Sequence, residues 1–204
     1  MINLHSQSNA RAGISRPATF KAPLFRSVTE CLETGKRRVI LDLCSARGQT
    51  IAFLNRYRCR LDIADLGDGL DKLNAETDRG RLADLAESML PARHYETTDI
   101  VLCWDLLNYL ERPALTAVMA GVAARAATGT LVHALIVYAD SHMPARPGNY
   151  AVLDDQQLCG LSSYTEERAA PRYSPEDLKK CLAGYVMDHA VLLSNGMQEF
   201  LFRL

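Results

Sequence analysis

Two aspartates frame the chemistry open to this chain. Asp42 closes the apolar run Val39-Ile40-Leu41, and Asp65 closes Leu61-Asp62-Ile63-Ala64. Between them, Cys44-Ser45-Ala46-Arg47-Gly48 holds a single bulky side chain, so a turn built from it can bring backbone N–H groups close to a ligand above the strand ends. A strand-end carboxylate at Asp65 can accept both hydroxyls of a ribose, and the same position also suits a plain helix cap. Asp42 can anchor the amides of the turn or reach an amino group through water, or it can serve packing alone. The stretch Val39 to Gly67 therefore reads as the first half of a nucleotide-binding unit.

A second group of candidates follows the run Asp-Ile-Val-Leu-Cys-Trp at residues 99–104. Ligands of open α/β sheets sit at the carboxyl ends of such strands. Trp104 and Asp105 stand there; core packing is the other reading for Trp104, and a helix N-cap for Asp105. Asn108 and Tyr109 lie one turn further on, within reach of a second substrate. Among the five histidines, His142 at the exit of an apolar run is the candidate general base, with a solvated loop histidine as its alternative.

The elements that must position these residues follow from periodicity. Leu24, Val28, Cys31 and Leu32 have helical spacing before Gly35, and a strand over Arg38 to Leu43 follows. Gln49 to Tyr57 reads as a helix. Gly67 to Pro91 is polar and acidic with Leu82, Leu85, Ala86 and Met89 at helical intervals, so helix is expected there and a third strand is missing or short. Pro113 opens a helix carrying Leu115, Val118, Met119, Val122 and Ala126 on one face, stopped by Gly129, and Thr130 to Tyr138 is the next strand. Residues 139–173 are interrupted by Pro144, Pro147, Gly148, Gly160 and Pro171, which predicts a loop-rich insert. Ser174-Pro175-Glu176-Asp177 is a capping sequence, and Asn195-Gly196 joins two apolar runs as a hairpin.

Length and charge narrow the classes. The 204 residues suit one domain, and 23 basic against 24 acidic residues leave no basic field for nucleic acid. The charge is uneven, with residues 1–38 basic and residues 62–87 acidic. Six isolated cysteines without a CxxC pair predict reduced thiols in a cytoplasm, and no metal-ligand cluster emerges. Ala114 to Ala139 is apolar, but Arg125 and Thr128-Gly129 split it, so no membrane span is expected. The motifs GxGxxG, GxxxxGK[ST] and GxSxG are absent, which argues against a nicotinamide oxidoreductase, a nucleotide triphosphatase and a serine hydrolase.

The order helix, strand, small-residue turn, helix, strand with acid, strand, helix, strand, insert, helix, hairpin resembles the class I S-adenosylmethionine-dependent methyltransferases over residues 20–204. Asp42, Cys44, Ala46 and Gly48 fall on the family's first acid and its three glycines, and Asp65 on its ribose acid; two of the glycines are replaced here. The resemblance implies a Rossmann-like α/β fold with a mostly parallel sheet, helices on both faces and a C-terminal antiparallel hairpin, preceded by a mobile segment at residues 1–19 and carrying an insert at about 139–173. It implies S-adenosyl-L-methionine as cofactor, held by Asp42, Cys44, Ala46, Gly48, Asp65, Trp104 and Asp105, and a small molecule as methyl acceptor; no adenine acid stands out, Glu87 being the best candidate and a solvated helix acid its other reading. Neither a nucleic acid nor a membrane is expected as partner, and the oligomeric state is not legible. Because Cys44 and Ala46 replace glycines, a non-catalytic binding protein with a degenerate cofactor site is the second reading.

Overall fold

The computed structural model describes residues 18–161 and 166–204. In chain order the elements are β1 (Ala18–Lys21), α1 (Phe25–Glu33), β2 (Arg38–Asp42), α2 (Gly48–Leu54), β3 (Cys59–Ile63), α3 (Leu70–Ala75), α4 (Arg79–Met89), β4 (Thr98–Trp104), α5 (Arg112–Ala123), β5 (Ala126–Val137), β6 (His142–Pro144), β7 (Asn149–Val152), β8 (Gln157–Leu161), β9 (Glu167–Ala169), α6 (Pro175–Cys181), β10 (Val186–Leu192) and β11 (Met197–Arg203). Of the expected N-terminal segment, residues 1–17 lie outside the described residues, as does Tyr164 of the insert; Ala18 and Thr19 belong to β1.

Six strands form the central sheet in the order β10-β11-β5-β4-β2-β3. The four from β5 to β3 run parallel, and β11 and β10 are added antiparallel. The middle strands carry unbroken apolar runs because both of their faces are covered: residues 100–104 of β4 and 130–136 of β5 are all buried. No strand stands between β3 and β4 in the chain. Its place is taken by α3 and α4, which bury Leu70, Leu73, Leu82 and Ala86 at helical spacing, so β3 is an edge. Arg60 on that edge pairs with Asp62 and Glu96, charges that blunt its open hydrogen-bonding side.

One expectation is corrected. Helix α5 ends at Ala123, and Ala126 and Gly129 lie in β5 rather than on the helix. The cause is Arg125, whose guanidinium donates to the carbonyls of Gly121 and Pro91 and pairs with Glu87, tying off the helix end. Gly129, at φ 90°, takes up the register shift between β4 and β5. The insert carries four short strands among its loops: β7 and β8 join β1 in a sheet of order β1-β8-β7, and β6 pairs with β9, with Pro147 and Gly148 between β6 and β7 and Pro171 after β9. Tyr150, Ala151, Val152 and Leu158 of the insert are buried.

Helix α1 has no capping side chain of its own. The N–H groups of Leu24 and Phe25 donate to the carboxylate of Glu199 on β11 at 3.0 and 2.9 Å, and His133 Nε2 lies 2.8 Å from the same group. Glu199 and His133 are fully buried. This acid thus satisfies a helix terminus from the far end of the chain. Glu199→Ala is expected to cost about 3–5 kcal/mol by leaving buried donors unpaired, while Glu30→Ala, which breaks the exposed Arg26–Glu30 pair, costs less than about 0.5 kcal/mol. Urea unfolding of the two variants measures the contrast, and equal costs would contradict it.

Candidate active site

The carboxyl ends of β2, β3 and β4 meet under the insert. Asp42, the last residue of β2, is buried; its Oδ1 accepts the N–H of Cys44 and the indole N–H of Trp104, both at 2.9 Å. Its Oδ2 is buried without a protein partner. Burial pushes the Asp42 carboxyl up to about 7 against the pull of those two hydrogen bonds, with the charge of Asp65 adding to the rise. The parallel pairing continues past the strand ends through Ala64 N–H to Asp42 O (2.8 Å) and Leu66 N–H to Leu43 O (3.0 Å), which sets Asp65 beside the turn.

Asp65 has a left-handed backbone, φ 49° and ψ 56°, a conformation that aspartate tolerates better than most residues. Its Oδ1 accepts the hydroxyl of Ser45 at 2.6 Å, bridging the turns after β2 and β3. It caps no helix through its side chain. Neither Cys44 nor Ala46 has a positive φ, so the turn does not use the freedom that glycine would give. Above it lies a cavity of about 430 Å³ walled by residues 44–47, Asp65, Gly67 and Asp68 from the sheet and by residues 146–149 from the insert.

Trp104 lies behind this wall, not on it. It too is left-handed, at φ 48°, at a register shift between β4 and β5. For a bulky residue that conformation costs on the order of 1–3 kcal/mol. The indole hydrogen bond to Asp42 and two flat contacts offset it: ring centroids lie 5.6 Å from Tyr150 and 6.1 Å from Phe25.

Asp105 accepts the N–H of Gly148 at 2.9 and 3.2 Å and does not cap the following 3-10 turn, Leu106–Tyr109, with its side chain. Burial pushes its carboxyl up to about 7. A Cβ at Gly148 would stand 3.1 Å from Asp105 Oδ2 and 3.1 Å from the Tyr150 ring, so a larger residue there would push these neighbours aside by a few tenths of an ångström. Asp105 and His142 both face a second cavity, of about 230 Å³, which shares Gly148 with the first. His142 is exposed at its rim, with Ser141 Oγ 3.1 Å from Nδ1.

Of the residues singled out from sequence, Cys44, Ala46 and Asp65 line the first cavity. Gly48 opens α2 beside it, Asp42 and Trp104 support it from behind, and Asp105 and His142 serve the second. Tyr109 also lines the second, whereas Asn108 turns inward: it donates to the carbonyls of Asp105 and Leu135 and accepts Val137 N–H. Glu87, the candidate adenine acid, lines neither cavity; Arg125 and Arg93 bind it and hold its carboxyl down to about 2. Sequence reading marked the insert as a whole without singling out residues 146–149, and it named neither Ser45 nor Asp68 as a site residue. Ser45 and Asp68 sit within three residues of predicted site positions, but the insert loop carries only its Pro147-Gly148 pair as a signal.

No family model matches this chain, and no curated protein matches it. Among solved structures it resembles an S-adenosylmethionine-dependent methyltransferase from Mesorhizobium loti, with a TM-score of 0.53 and 11% identity over 90% of this chain and 98% of that one. It also resembles one from Clostridium acetobutylicum ATCC 824, with a TM-score of 0.51 and 14% identity over 88% and 89%. The chain therefore has the class I methyltransferase fold.

Asp42 and Asp105 both bind protons more tightly folded than unfolded, so stability falls as pH rises from 3.8 toward about 7. The ionised form costs on the order of 2–4 kcal/mol per carboxylate. Asp42→Asn removes one of the two, so its unfolding free energy should gain on that of the wild type as pH rises through this window. Denaturant unfolding across pH measures the difference, and a difference independent of pH would count against it.

Proposed function

We propose that the chain is an S-adenosylmethionine-dependent methyltransferase acting on a small molecule. The observation that carries this reading is the cavity itself: about 430 Å³, floored by a turn of small residues, with the Asp65 carboxylate turned to its rim by a left-handed backbone. That volume is within the range of small-molecule sites. Asp65 has one oxygen engaged by Ser45 and the other free to accept a ribose hydroxyl. Arg47 and Arg146 supply the positive charge on the wall for a carboxylate, and the buried Oδ2 of Asp42, an acceptor in need of a donor, lies beneath.

S-adenosylmethionine, when bound, supplies a methyl group on a positively charged sulfur. The protein's part is to hold the acceptor in line and to keep water out. Residues 146–149 of the insert cover the cavity from above, and Trp104, wedged between Phe25 and Tyr150, fixes its back wall. The adjoining cavity of about 230 Å³ has room for a small acceptor. The absence of a positive φ at Cys44 and Ala46 favours this reading over a non-catalytic protein with a decayed site.

Isothermal titration with S-adenosylhomocysteine tests the assignment. Binding is expected in the wild type, weakened about 10- to 100-fold in Asp65→Ala through loss of charged hydrogen bonds. Returning glycine to positions 44 and 46 should change affinity by less than about threefold, since no positive φ is in use. No binding at millimolar ligand, or binding gained only when both glycines are restored, would overturn the proposal.

A further inference from the structure

The second cavity is built from elements distant in sequence: Phe20 of β1, Tyr109 after β4, Val137 of β5, Met143 of β6, Tyr150 of β7 and Met197 of β11. The Tyr150 ring is a fixed platform, stacked at 7° on Trp104 and met edge-on by Phe20 at 6.3 Å. Set among these apolar groups is Asp105, only 5% exposed. Its carboxylate accepts the Gly148 N–H, lies beside Tyr150, whose hydroxyl faces Met197 Sδ at 4.0 Å, and among the described residues pairs with no cation. One donor does not saturate a group with about four lone-pair positions. Buried acceptors are normally satisfied, and here the remaining capacity faces a cavity.

The groups around it come from every neighbouring element. Tyr150 faces it from β7, Tyr109 from its own turn and the Cys44 thiol from the turn after β2. Asp140 and His142 stand on the cavity wall, and the Arg168 guanidinium lies 5.9 Å over the Tyr109 ring. Gly148, bonded to Asp105, also walls the first cavity, so the carboxylate is beside the junction of the two.

We propose that this cavity takes a flat, largely apolar acceptor bearing one O–H or N–H, and that Asp105 binds that hydrogen and receives the proton during methyl transfer. The proposal rests on the methyltransferase reading above. The acceptor's lone pair forms the bond to the methyl carbon, the carbon–sulfur bond breaks with its electron pair retained by sulfur, and the acceptor's proton passes to Asp105 and then to solvent. Burial fits the carboxylate for this role, because a proton affinity near neutrality makes a stronger base than an ordinary aspartate while leaving it ionised above about pH 7. Below that pH the group is protonated, can no longer take the acceptor's proton, and offers only a weaker, uncharged acceptor.

The probes are 2-naphthol, 1-aminonaphthalene and the capped 2-methoxynaphthalene, followed by fluorescence quenching with and without S-adenosylmethionine. In the wild type the two donors should bind about tenfold more tightly than the ether above pH 7, a preference that fades as pH falls while ether binding stays level. Asp105→Asn, which keeps an acceptor oxygen for Gly148, should abolish that pH dependence. Release of S-adenosylhomocysteine with 2-naphthol should fall about 100-fold in the variant, with cofactor affinity changed by less than about threefold.

Donors and ether bound equally at every pH, no probe bound at millimolar concentration, or an unchanged pH profile in Asp105→Asn would each overturn the proposal and leave Asp105 as a tether for Gly148. Because the probe measurements need only the wild type, they hold even if the variant fails to fold. Failure of the methyltransferase reading is distinct: no cofactor binding, with probe discrimination intact.

Discussion

β2 and β4 end side by side, and one oxygen joins their ends. Asp42 Oδ1 takes the N–H of Cys44 and the indole of Trp104 at once. The first bond sets the direction in which the chain leaves β2, and so where the cavity floor lies. The second helps hold Trp104 in a left-handed conformation that a bulky residue otherwise avoids. In that conformation the ring lies flat between Phe25 of α1 and Tyr150 of β7, so the sheet, the helix below and the insert above are registered through one carboxylate. The cost is the second oxygen, buried with no protein donor, and it is expressed as the raised proton affinity of the group.

A second buried acid holds the other end of that stack. Glu199 reaches from β11 to the start of α1 and to His133, and the Phe25 ring stands edge-on to His133 at 5.3 Å. Hydrogen bonds to a fully buried carboxyl group dominate here over the pairs at the surface, such as Arg26–Glu30 and Lys180–Glu176, where solvent and side-chain entropy cancel most of the gain. The position of Trp104 thus depends on contacts made by residues 25, 42, 150 and 199, which no local segment contains.

Much of the architecture was legible because it rests on local patterns. Unbroken apolar runs marked β2, β4 and β5, the Ser174–Asp177 capping box formed as expected, and Asn195-Gly196 turns the hairpin with Gly196 at φ 80°. The absence of a strand between β3 and β4 followed from leucines at helical rather than alternating spacing. The end of α5 was misjudged because Arg125 acts through Glu87 and Pro91, more than thirty residues away. The strands of the insert were hidden for a related reason. Each is three to five residues long and finds its partners in β1 or across the insert, so no periodicity announces it. In the site, Asp65 and the small-residue turn could be read, whereas Asp105 meeting Gly148 is a contact over 43 positions.

That last contact also bears on what the missing glycines mean. A glycine is needed where φ is positive or where another group lies too close for a Cβ. Positions 44 and 46 do not have a positive φ, and at Gly48 an added Cβ would touch nothing within 4 Å. The steric demand falls instead on Gly148, whose Cβ would press on Asp105 and Tyr150. In this chain the close approach is therefore made by the insert onto the strand ends, and the turn beneath follows from the carboxylate of Asp42. Cys44 and Ala46 line the cavity as small side chains, and the turn that carries them is set by the Asp42 carboxylate rather than by a positive φ.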